Sequence, residues 1–82
     1  MQHFVYTEHA LAVLEERKIK DIWVRLALQD PERMERKKDG TVDYLRPIEE
    51  FGNRYLRVAV NPHKRPATVI TVFFDRRLGR KT

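Results

Sequence analysis

The sequence predicts an α+β domain: an antiparallel sheet with a helical hairpin on one face, in the order β-α-α-β-β-β-β. Three observations carry this. Apolar residues recur at helical spacing between Glu8 and Gln29, the period changes to two after Pro31, and turn residues punctuate the second half at Asp39-Gly40, Gly52-Asn53 and Asn61-Pro62. An amphipathic helix pair and a sheet each carry an apolar face, and packing one on the other buries both.

The elements follow in order. His3-Phe4-Val5-Tyr6 is a short first strand. Thr7 is an N-cap for a helix from about Glu8 to Lys18, with Glu8 favouring the helix dipole. Its inner side holds Ala10, Val13, Leu14 and Arg17. A second helix runs from about Lys20 to Gln29, with Trp23, Val24, Leu26 and Ala27 inward, and Asp30-Pro31 ends it. The few residues around Ile19 suit an antiparallel helical hairpin.

Asp39-Gly40 suits a two-residue type I′ loop, which would set Lys38 opposite Thr41, Arg36 opposite Asp43 and Met34 opposite Leu45. Pro47 marks an edge or a bulge. Arg54 to Val60 alternates cleanly, and Ala67 to Phe74 is the last strand. With Leu56, Val58, Val60, Ile70, Val72 and Phe74 toward the helices, period two sends Tyr55, Arg57, Thr71 and Phe73 to the open face. The hairpin register adds Tyr44 and Arg46.

Composition narrows the function classes. An 82-residue chain is one small domain, here residues 1–75 with a basic tail over 76–82. Cysteine is absent, which excludes disulfides and thiolate metal sites, and serine is absent, which excludes a Ser-His-Asp triad. No His/Asp/Glu spacing resembles a metal set and no Gly-rich phosphate loop occurs, so neither metal nor cofactor is expected. No apolar run nears the ~20 residues of a membrane span, the first residues lack a signal-peptide pattern, and a cytoplasmic protein is expected.

Residues 1–61 hold 11 Lys/Arg against 11 Asp/Glu, so the net charge of +5 lies wholly in the last quarter. There Lys64, Arg65, Arg76, Arg77, Arg80 and Lys81 face Asp75 alone. Such a segment suits a polyanion, and equally a solvated terminus or an acidic protein partner. Arginines hold phosphates by paired hydrogen bonds and aromatic rings stack on unpaired bases, so Tyr44, Arg46, Phe73, Arg76 and Arg77 are candidate nucleic-acid contacts. Strands also carry Tyr, Arg and Thr because they pack well on a pleat. His9 is a candidate general acid or base, or a boundary residue bonded to the sheet.

Thr7-Glu8-His9-Ala10, Tyr55-Leu56-Arg57-Val58 and Val69 through Arg77 resemble a family of small bacterial proteins known mostly as a domain of unknown function, itself similar to the RelE/ParE superfamily of type II toxins. The resemblance spans nearly the whole chain. It implies a RelE/ParE-like fold and a metal-independent endoribonuclease acting on messenger RNA, often on the ribosome, with a cognate antitoxin as partner. ParE-like relatives imply gyrase as target instead. The first alternative, ahead of gyrase, is a binding module that keeps the fold without catalysis and engages nucleic acid or a protein partner. For cleavage, Arg57 with Arg76 or Arg46 would neutralise the phosphate, and His9 or Tyr55 would transfer protons.

Overall fold

In a computed structural model that describes residues 3–78, five strands form one mixed sheet. The elements are β1 (Phe4–Tyr6), α1 (Glu8–Glu16), α2 (Asp21–Gln29), β2 (Arg33–Arg36), β3 (Val42–Ile48), β4 (Arg54–Asn61) and β5 (Ala67–Asp75). The sheet order is β1-β5-β4-β3-β2. β2 through β5 pair antiparallel, but β1 pairs parallel to β5, so the expected all-antiparallel sheet is corrected. The helical crossover explains the difference. A chain that leaves β1, passes through two helices and returns by the meander can lay β5 alongside β1 in the same direction. No helix among the described residues is long and apolar enough to cross a membrane.

The helix pair forms where the pattern places it, except that Arg17 and Leu26, expected on the inner sides, are exposed. Thr7 Oγ1 accepts the Ala10 amide at 3.0 Å, capping α1, and donates to the Ile70 carbonyl at 2.9 Å. One side chain therefore starts the helix and fastens it to β5. α1 rests on β5 and β1, while α2 rests on β4 and β3. The core between helices and sheet holds Ala10, Ile19, Trp23, Val24, Ala27, Leu56, Val58, Val60, Val69 and Val72. Trp23 and Phe51 close its end around Phe74, with the Trp23 and Phe74 rings edge-on at 5.9 Å.

Two local irregularities shift side chains relative to the simple alternation. The β2–β3 loop is a three-residue loop, not a two-residue one. Gly40 N donates to Lys37 O at 3.0 Å, Lys37 N donates to Thr41 O at 2.9 Å, and Gly40 has φ +93°. That is a type I turn closed by a left-handed glycine. The extra residue sets Met34 opposite Tyr44 and Glu35 opposite Asp43, one step from the expected pairing. A one-step slip exchanges faces. Tyr44 and Arg46 therefore lie on the helix side, and Asp43 and Leu45 on the open side. In β5 a bulge does the same on a smaller scale: Ala59 pairs with Thr71 but Val60 pairs with Val69. Ile70 is the unpaired residue, and Val69 takes the core position expected for it.

Candidate nucleic-acid interface

β4 and β5 send Tyr55, Arg57, Thr71 and Phe73 to the side away from the helices, as the alternation requires. Arg57 is not an open phosphate clamp there. It is 7% exposed, and its Nε and Nη2 donate to Asp75 Oδ2 at 3.0 and 2.7 Å. Its Nη1 donates to Asp43 Oδ2 at 2.6 Å and to Glu35 Oε1 at 2.9 Å. Burial alone would weaken the charged guanidinium, but these three carboxylates outweigh it and raise the arginine's pKa further. Lys37 Nζ adds a second cation to Asp43 at 3.3 Å. Arg77 turns back on Asp75, its amide donating to Oδ1 at 2.9 Å and its Nε to the same oxygen at 3.3 Å. Burial opposes ionisation of Asp75, yet the Arg77 and Arg57 donors hold its pKa down at about 2.

The other expected site residues are dispersed. Tyr55 donates its hydroxyl to Glu32, and that bond raises its pKa, the opposite of what a base needs. Phe73 stands opposite Arg57 and is 40% exposed. Arg76 is exposed in the turn after β5. Tyr44 packs against the helix-side core, its ring edge-on to Phe4 at 6.3 Å. Arg46 holds the end of α2, donating to the Asp30 carbonyl at 2.7 Å and its carboxylate at 3.2 Å. His9 is exposed in the first turn of α1, on the helix side of the sheet, whereas Arg57 lies on the other side. A phosphate held by Arg57 would be out of reach of His9. The part of the basic tail at Arg80 and Lys81 lies outside the described residues.

The structure brings a different set of cations together. In a meander the β2–β3 and β4–β5 loops fall at the same end of the sheet, and here they touch: His63 Nε2 lies 3.0 Å from where a Cβ on Gly40 would stand. Arg36, Lys37 and Lys38 flank or form the first loop, and Lys64 and Arg65 lie in the second. Among the described residues, Arg36, Lys38, Lys64 and Arg65 have no carboxylate within ion-pair distance. Asp39, the one acid in these loops, accepts the Thr41 amide at 2.9 Å and hydroxyl at 2.7 Å. Those bonds hold its pKa down and turn its carboxylate toward the loop's own backbone. The β3–β4 turn at the other end carries Glu49 and Glu50.

The last-quarter charge is therefore divided: Lys64 and Arg65 sit at one end of β5, Arg76 and Arg77 at the other. The loop cluster was missed because its members belong to two segments far apart in the chain. Its signal was the meander itself, which returns alternate turns to the same end. Among the described residues no group of three or more His, Asp or Glu side chains is placed to hold a metal ion. Chemically, the loop end can bind phosphates as an array of exposed, hydrated cations without fixed base readout.

No curated protein and no solved structure matches the chain. One family does, described as a domain of unknown function (DUF4258), and it covers residues 6–74, from the end of β1 almost to the end of β5. The chain belongs to that family.

Proposed function

We propose that this protein binds RNA through the two basic loops at one end of its sheet, and that it acts as a binding module. What supports the reading is the convergence of Arg36, Lys38, Lys64 and Arg65 on touching loops with no carboxylate partner among the described residues. Cations left unpaired at one end of a small domain concentrate positive potential there, and contact with a nucleic acid releases its counterions. The resemblance to RelE/ParE toxins supplies a setting, in which a toxin-like protein meets messenger RNA in the cytoplasm and an antitoxin controls it. Binding is favoured over cleavage because Arg57 is committed to three carboxylates and His9 lies across the sheet from it.

The test is fluorescence anisotropy with a short single-stranded RNA over a range of salt. Affinity should fall as salt rises, with a log–log slope of roughly −0.7 for each phosphate neutralised. The double variant Lys38→Glu, Lys64→Glu should flatten that slope by roughly 1 to 1.5, and the RNA should be recovered intact. A slope unchanged by the double variant would move binding away from the loops. Cut RNA with cyclic phosphate ends would favour the endoribonuclease instead.

A further inference from the structure

Because α1 rests on β5 and β1 while α2 rests on β4 and β3, a cleft of about 690 Å³ opens between β1 and α2. Its size falls within the usual range for small-molecule sites, roughly 300–1,000 Å³. Phe4 and Leu28 supply apolar wall, and the Phe4 ring is held edge-on by Tyr44. Polar groups converge along one side. Tyr6 donates its hydroxyl to Asp21 Oδ1 at 3.0 Å, and Arg25 Nε donates to Asp21 Oδ2 at 2.8 Å. Both carboxylate oxygens are thus engaged by donors. Arg25 keeps its two terminal amino groups without a hydrogen-bond partner among the described residues, and Gln29, one turn further along α2, also lines the cleft.

We propose that this cleft binds a small aromatic acid, its ring between Phe4 and Leu28 and its anionic group on the free edge of Arg25. The chemistry fits in three ways. A guanidinium edge pairs with a carboxylate or sulfonate through parallel N–H bonds, and Gln29 can add an amide donor beside it. The apolar wall favours a ring over a bare inorganic anion. The Asp21–Arg25 pair is net neutral, so the anionic group is held by the directed N–H bonds of Arg25 and not by net charge. Burial and the bond to Asp21 push the Tyr6 hydroxyl up to about 12, so no phenolate adds negative charge to the site. This site lies on the helix side and shares no lining residue with the loop cluster proposed for RNA, although Phe4 pairs with Ala67 just after the second loop.

The probe is anilinonaphthalene sulfonate, titrated into the full chain and followed by its own fluorescence. One saturable site per chain is expected, displaced by naphthoate but not by the neutral naphthalenemethanol. Arg25→Gln should weaken binding roughly tenfold or more, the usual effect of losing a charged hydrogen-bond donor. Gln29→Glu should do the same by placing a like charge beside the anion. Both residues are exposed, and the Arg25–Asp21 pair contributes little to stability. Urea unfolding should therefore show both variants folded. Absence of a saturable site would overturn the proposal. So would wild-type affinity in both variants, equal displacement by the neutral alcohol, or loss of binding in Lys38→Glu, Lys64→Glu instead.

Discussion

Arg57 carries one positive charge among Glu35, Asp43 and Asp75, and its exposure of 7% makes this a buried network with a polar rim. Desolvating the three buried charges of Arg57, Asp43 and Asp75 is costly, and the network is tolerated only while its hydrogen bonds are nearly all made. Asp43 Oδ1 is the exception, buried without a partner among the described residues. Removing the central cation would leave Asp43 and Asp75 facing each other in low dielectric. Arg57→Ala should therefore destabilise the fold by about 3–5 kcal/mol, read as a large drop in the urea midpoint. Loss of activity in that variant would report unfolding before it reported catalysis. The same network gives a pH dependence. Asp75 is held at about 2, and the hydrogen bond from Arg57 lowers Glu35 as well. Groups with depressed folded values bind more protons when unfolded. Their contribution is complete above their ordinary range near 4 and is lost as pH falls toward 2. For Asp75 it is on the order of 2 kcal/mol. Unfolding curves should show a steep loss between pH 4 and pH 2, and a flat profile there would contradict the network.

Two elements set the register on which everything else depends. Gly40 closes the β2–β3 loop at φ +93°, and an added Cβ would meet His63 Nε2 at 3.0 Å. Gly40→Ala should cost about 1–2 kcal/mol from the left-handed backbone, and the exposed His63 ring should shift aside by a few tenths of an ångström. Thr7 joins α1 to β5 through Ala10 N and Ile70 O, so Thr7→Ala should cost roughly 1–2 kcal/mol, measurable by thermal unfolding. These elements also mark how far the sequence could be read. The Thr7 cap, the stop at Asp30-Pro31 and the alternation of Leu56, Val58 and Val60 are local signals, and the structure agrees with them. Asp39-Gly40 announces a turn but permits loops of two or three residues. The difference of one residue exchanges Tyr44 and Arg46 with Asp43 and Leu45. The bulge at Ile70 has no local signature, and the carbonyl there accepts the hydroxyl of Thr7, 63 residues away in the chain. Nor does alternation tell an open arginine from one buried among acids, because Glu35, Asp43 and Asp75 come from three strands.

At the scale of the whole molecule, charge is sorted by the ends of the sheet more than by its faces. The open face is nearly neutralised around Arg57, while the touching loops gather Arg36, Lys37, Lys38, Lys64 and Arg65. The net charge of +5 counts both, and composition could not tell them apart. β4 separates the two ends by eight residues, roughly 25 Å along the strand. That distance exceeds the ~8 Å screening length at physiological salt, so the loop cations and the Arg76–Arg77 turn act as separate patches. Charge reversal at Arg76 should accordingly alter RNA affinity far less than reversal at Lys38 or Lys64, when all are compared at equal salt.

Backbone amide chemical shifts followed during titration with a short single-stranded RNA locate the binding surface residue by residue. The largest changes should fall on residues 36–41 and 63–65, with Arg57 and its strand neighbours nearly still. Changes centred on Tyr55, Arg57, Phe73 and Arg76, with the loops unmoved, would rule out the loops and return the open face of the sheet to the role of RNA surface.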